Sequence, residues 1–134
     1  MNILLITPLA GYTMTRWMPL GLSYIASMLK KNNHTVKLYD RFLRANILGG
    51  EEAANLEMKS EILSFKPDII GFSTVPPLIY DTLECVRYIR DFYEGIVIAG
   101  GHHTTAMPQY TLKKIPGIDL EYTGALQLQG ALRQ

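Results

Sequence analysis

Short apolar runs alternate along this chain with stretches in which apolar residues recur every three or four positions. Ile3-Leu4-Leu5-Ile6, Ile69-Ile70-Gly71-Phe72-Ser73 and Ile96-Val97-Ile98-Ala99 are too short and too β-branched for helices, so they read as buried strands. Thr35 to Tyr39, ending in Asp40, is a further short strand. Between the first two strands, Leu22, Ile25, Ala26 and Leu29 mark one helix face, with Pro19 suited to the first turn and Lys30-Lys31 to the last. A second helix opens at Glu51-Glu52 and runs to about Phe65; a third carries Ile79, Leu83, Val86, Ile89 and Tyr93 on one face. Arg41 to Gly50 reads as loop, closed by Gly49-Gly50. Thr104 or Thr105 caps a short helix with Pro108 in its first turn, Pro116-Gly117 is a turn, and Ile118-Asp119-Leu120 is a short fifth strand.

Strands separated by helix-length crossovers run parallel, with helices on both faces of the sheet. Five strands in this rhythm predict an α/β fold: a flavodoxin-like (Rossmann-type) doubly wound parallel sheet in the order 2-1-3-4-5. Residues 1–134 then form one domain, and ligands bind outside the carboxyl ends of the strands near the switch point. The connection from Leu9 to Pro19, with Gly11, Tyr12, Arg16 and Trp17 inside it, is long for a plain link and suits a functional loop.

Composition narrows the classes. With 48% hydrophobic and 19% charged residues the chain is an ordinary globular one, not a disordered one. A net charge of +1, with no long Lys/Arg run, removes bulk electrostatics as a reason to bind nucleic acid. A lone cysteine, Cys85, excludes an internal disulfide framework and an all-thiolate metal cluster, and it reads as a plain, partly buried thiol. No apolar stretch approaches the roughly 18 residues of a membrane span. The N-terminus has no basic segment and soon meets Pro8, so it does not read as a signal peptide. A cytoplasmic domain is the expectation.

Four connections should meet on one rim, beginning at Thr7-Pro8, Asp40-Arg41-Phe42, Ser73-Thr74-Val75 and Gly100-Gly101-His102. They offer hydroxyls, bare backbone and aromatics. They lack a G-x-x-x-x-G-K-[ST] phosphate loop, a G-x-G-x-x-G turn and the clustered acids of a phospho-accepting receiver. Gly100-Gly101 is either a turn that needs glycine or a shelf on which a ligand lies against the backbone. Asp40 is a cap or a ligand contact; Arg41 and Arg44 are solvated loop arginines or phosphate partners. His102-His103 lacks a third histidine nearby, since His34 belongs to the opposite end of the sheet. A ligand contact from His102 therefore fits better than a metal site, and no catalytic residue or metal ligand is assigned. Ser73 lacks both a G-x-S-x-G elbow and a triad.

Ile3-Leu-Leu-Ile-Thr-Pro8, Pro19-Leu-Gly-Leu-Ser-Tyr-Ile-Ala26, Val36-Lys-Leu-Tyr-Asp40, Pro67-Asp-Ile-Ile-Gly-Phe-Ser73, Ile98-Ala-Gly-Gly-His102 and Lys114-Ile-Pro-Gly-Ile-Asp119 occur in one order. That ordered set, spanning nearly the whole chain to about Leu120, resembles the N-terminal cobalamin-binding domain of B12-dependent radical-SAM enzymes. The resemblance implies a cobalamin held at Thr7, Pro8, Asp40, Phe42, Ser73, Thr74, Val75, Gly100, Gly101 and His102. Ser73 in the Ser-x-Leu position would bond the nucleotide tail, which Gly100-Gly101 would let pass between strands one and three. The family's Asp-x-His-x-x-Gly motif corresponds to Asp40-Arg41-Phe42-Leu43-Arg44-Ala45, which keeps the Asp and lacks both His and Gly. No histidine lower ligand is then expected, as in the radical-SAM branch. Tyr12 and Trp17 either cover a corrin or pack on the sheet edge.

The Cys-x-x-x-Cys-x-x-Cys motif of the family's catalytic half is absent. S-adenosylmethionine and a 4Fe-4S cluster therefore belong to a radical-SAM partner domain, in cis or in trans, and this chain alone is not catalytic. Where the family continues past Asp119-Leu120 with a strand and a Gly-Glu-Gly-Glu-like turn, residues 121–134 diverge or are truncated. Two rival readings use the same rim or none: a flavin- or nucleotide-binding protein with phosphate at Gly100-Gly101 and Thr104-Thr105, and a fragment that self-associates as a homo-oligomer.

Overall fold

The structure is a computed structural model that describes residues 1–9, 20–74, 79–101 and 113–122. Its elements follow in the order β1 (Asn2–Thr7), α1 (Leu20–Lys31), β2 (Thr35–Asp40), α2 (Arg41–Leu48), α3 (Glu51–Phe65), β3 (Ile69–Ser73), α4 (Ile79–Arg90), β4 (Ile96–Gly100) and β5 (Leu120–Tyr122). The strands make one parallel sheet in the order β2-β1-β3-β4-β5. The α/β class and the central order 2-1-3-4 are as the sequence leads one to expect. The fifth strand is a three-residue edge, two residues later than expected, pairing Leu120 with Ile98 and Tyr122 with Gly100. The sequence thus continues as strand beyond Asp119-Leu120; the divergent remainder lies outside the described residues. So do Tyr12, Trp17 and the expected short helix after Thr104.

β1 explains why a parallel strand reads as an unbroken apolar run. Ile3, Leu4, Leu5 and Ile6 are all buried, because successive side chains enter cores on opposite faces. Leu4 and Ile6, with Ile70, Phe72, Val97 and Ala99, pack beneath Met58 and Ile62 of α3 and Cys85, Val86 and Ile89 of α4. Ile3 and Leu5, with Val36 and Ile69, pack beneath Leu22 and Ala26 of α1. Helices therefore cover both faces. The outward side of α1 is itself apolar: Leu20, Tyr24 and Met28 are exposed, and no charged residue occurs from Leu20 to Leu29.

The segment from Arg41 to Gly50, expected to be loop, is mostly helix. Asp40 caps it, its carboxylate accepting the Leu43 N–H at 3.1 Å. At the other end Gly49 takes φ +88°, and the N–H groups of Gly49 and Gly50 both donate to the Ala45 carbonyl, at 3.0 and 2.9 Å. The apolar period failed to show this helix because two of its inward positions are Arg41 and Ala45, while Ile47 and Leu48 are exposed. The legible signal was the pairing of a capping Asp with a glycine nine residues on.

Candidate functional site

Strand register decides which expected site residues meet. Thr7 pairs with Asp40, Ile6 with Phe72, and Ser73 with Gly100. Four strands therefore end at one level, and Thr7, Asp40, Ser73 and Gly100 share one rim. Alternation sets the direction of their side chains. Ile6 and Phe72 enter the core under α3 and α4, so the next residues, Thr7 and Ser73, turn toward the α1 face. Both are half-buried, and among the described residues neither hydroxyl has a hydrogen-bond partner. These two hydroxyls on neighbouring strands, beside the half-buried backbone of Gly100, make a polar strip.

The other expected residues serve the rim's own structure. Pro8 is buried, Asp40 caps α2, and Phe42 sits half-buried in the first turn of that helix. Thr74 is fully buried and donates twice to the Gly100 carbonyl, from its N–H at 2.6 Å and its Oγ1 at 3.0 Å. Gly101 has φ +119°, and a Cβ built on it would lie 2.4 Å from the Thr74 carbonyl oxygen. Gly101 is thus required by a close backbone approach inside the protein. Val75 and His102 lie outside the described residues.

Arg41 and Arg44 are both engaged in ion pairs within the protein, Arg41 buried and Arg44 partly exposed. Arg41 is 1% exposed, and its Nε and Nη2 donate to Asp81 Oδ2 and Oδ1 at 3.2 and 2.9 Å. Its Nη1 donates to Asn55 Oδ1, and Glu51 approaches at 3.6 Å. Burial works against the charged guanidinium, but the surrounding negative groups outweigh it and its pKa is raised. Asp81 also accepts the Leu9 N–H at 2.6 Å. Arg44 pairs with Glu57, at 2.6 and 2.5 Å, and that hydrogen bond holds the Glu57 carboxyl below its ordinary value. Sequence reasoning missed the Arg41–Asp81 pair because its members stand 40 residues apart.

Cys85 is 2% exposed, and burial, then the charge of Asp81, push its thiol pKa well above the ordinary value. The thiol stays protonated and shielded through neutral pH. At pH 8 an aromatic disulfide reagent should label it at least about a hundredfold more slowly in the native protein than in 6 M guanidinium. Equal rates in the two states would contradict the buried placement.

An open cleft of about 760 Å³ runs along the edge strand β2, lined by Ser23, Lys37, Leu38, Tyr39, Asp40, Leu43, Arg44, Glu57 and Glu61. It shares only Asp40 with the rim. Its charges satisfy each other as the pairs Arg44–Glu57 and Lys37–Glu61, and Tyr39 donates its hydroxyl to the Ala54 carbonyl at 2.9 Å. The cleft is therefore distinct from the Thr7–Ser73 strip. Among the described residues no group of three His, Cys, Asp or Glu side chains could hold a metal ion.

In open α/β sheets of this order, ligands bind outside the carboxyl ends of the strands at the switch point. Residues 6–127 match the family of B12 binding domains, and the chain belongs to it. It is 30% identical over 134 aligned positions to an uncharacterized methyltransferase of Pyrococcus horikoshii, covering 96% of this chain and 28% of that protein. It is 27% identical to the anaerobic magnesium-protoporphyrin IX monomethyl ester cyclase of Rubrivivax gelatinosus, over 77% of this chain and 18% of that one. The fold superimposes on TsrM, a radical S-adenosylmethionine methyltransferase of Kitasatospora setae solved with cobalamin and a [4Fe-4S] cluster. The TM-score is 0.76 at 17% identity, over 90% of this chain and 21% of that one. The chain is thus a B12-binding domain that resembles the cobalamin-binding part of radical-SAM methyltransferases, and it spans less than a third of these relatives. No described helix is long and apolar enough to cross a membrane.

Proposed function

We propose that this chain is the cobalamin-holding module of a larger B12-dependent radical-SAM methyltransferase. The residues present fit the group. The free hydroxyls of Thr7 and Ser73 would hold the nucleotide tail on the α1 side of β1 and β3, and Gly100 would admit it alongside them. Thr74, Asp40, Pro8 and Gly101 shape that rim. Phe42 stands where the histidine of the strand-two motif would stand, so this motif supplies no ligand beneath the cobalt. Cobalamin, when bound, supplies a cobalt centre that can carry a methyl group. The S-adenosylmethionine and 4Fe-4S chemistry comes from a companion domain, because one cysteine cannot ligate a cluster. The observation that carries this reading is the coincidence of the family match with two hydroxyls on neighbouring strand ends that have no partner among the described residues.

The test is retention of hydroxocobalamin after desalting, read from its visible spectrum. The wild type should keep the corrin, and the double variant Thr7→Val/Ser73→Ala should bind about tenfold more weakly, the loss of one or two hydrogen bonds. No retained corrin by the wild type, or a rise in melting temperature with FMN or ATP and none with cobalamin, would overturn the proposal.

A further inference from the structure

The four connections of the rim are tied in two groups. Thr74 and Gly100 join the third and fourth; a single carboxylate, that of Asp81 in the first turn of α4, gathers the other ties. Its Oδ2 accepts the Leu9 N–H at 2.6 Å and Arg41 Nε at 3.2 Å, with Cys85 Sγ at 3.8 Å; its Oδ1 accepts Arg41 Nη2 at 2.9 Å. Leu9 is two residues beyond β1, Arg41 one beyond β2, and Asp81 belongs to the helix that follows β3. We propose that Asp81 is the positioning residue of the rim: its carboxylate joins the connections leaving β1, β2 and β3, and so sets how the Thr7 and Ser73 hydroxyls are presented to a ligand. The identity of that ligand rests on the cobalamin reading.

Stability alone does not require this arrangement. A buried ion pair can often be replaced by apolar side chains of similar volume without loss of stability. What an apolar pair cannot do is accept the Leu9 N–H, the first backbone donor of the long connection after β1. Asp81 is 11% exposed at its side chain and Arg41 1%, so water does not readily take over that role.

The experiment compares the wild type with Arg41→Met/Asp81→Leu, following urea unfolding, amide exchange at Leu9 by NMR, and hydroxocobalamin affinity. The double variant should still unfold cooperatively, at a midpoint lowered by no more than that of a core truncation such as Ile89→Ala, because the Leu9 N–H and Asn55 Oδ1 lose their partners while no charge is left unpaired between Arg41 and Asp81. Its Leu9 amide should exchange at least tenfold faster, and its affinity should fall at least tenfold. If the double variant does not fold, Asp81→Ala is compared with Ile89→Ala, a core truncation in the last turn of α4, at the end of the helix away from Asp81. Asp81→Ala alone should then show the exchange and affinity losses. Leu9 exchange that is unchanged in whichever variant is used, or affinity equal to its control, overturns the positioning role. A wild type that takes up no hydroxocobalamin removes the cobalamin reading instead, and the exchange comparison then decides the role of Asp81 by itself.

Discussion

Arg41→Ala should lower the unfolding free energy by about 3–5 kcal/mol, the range for breaking a buried ion pair by removing one partner. The loss has three parts. Asp81 keeps its burial and loses the bidentate partner at 2.9 and 3.2 Å. Asn55 Oδ1 loses its donor, and the space under α2 and α3 filled by the guanidinium empties. Arg41→Lys should recover less than half of the difference, because an ammonium cannot present the parallel pair of N–H donors. Urea unfolding monitored by far-UV circular dichroism measures all three proteins. A loss below about 1 kcal/mol for Arg41→Ala would mean that the pair behaves as a surface salt bridge. As natural domains have only about 5–15 kcal/mol in hand, the expected change should also be visible as poor soluble yield.

Gly101→Ala should cost about 3 kcal/mol, and it should do so with no ligand present. A side chain at φ +119° is strained by roughly 1–3 kcal/mol. The new methyl would also meet the Thr74 carbonyl oxygen at 2.4 Å and its nitrogen at 3.0 Å, an overpacking worth roughly another 1–3 kcal/mol. Thr74 cannot easily withdraw, since it is fully buried and held to Gly100 by two hydrogen bonds. Gly21→Ala is the matching control. Gly21 lies in α1 with nothing within 4 Å of a built Cβ, so alanine there should be neutral or stabilising by up to about 1 kcal/mol. A Gly101→Ala protein as stable as the wild type without cobalamin, yet unable to bind it, would return this glycine to the role of ligand clearance.

These two positions mark the border of what was legible. The glycine pair at the end of the fourth strand stood out in the sequence, and its place beside Ser73 follows from the topology. Its reason did not, because the atom that excludes a Cβ at Gly101 belongs to Thr74, 27 positions away in the chain. Arg41 is the opposite case. Its letter suggested a solvated loop, and the hidden helix α2 was misread for the same cause: a charged residue occupies an inward position. A charge can sit inward only where a partner and polar neighbours meet it, and Asp81 and Asn55 come from two later helices.

The sequence by itself determined the first four strands, three of the four described helices, the parallel order of the central sheet and the rim at which those strands end. Those follow from local periodicity and from the rule that crossover connections make parallel strands, both of which act over a few residues or one connection. The ordered set of strand-end motifs likewise pointed to the B12-binding family. Only the tertiary structure decided which rim residues bond within the protein and so hold the rim together. Among the described residues it gave the Thr7 and Ser73 hydroxyls no partner, committed Asp40, Thr74, Arg41 and Asp81 to internal bonds, and set Gly101 against the Thr74 backbone. That division depends on register and on contacts between residues tens of positions apart, and no local pattern in a chain records them.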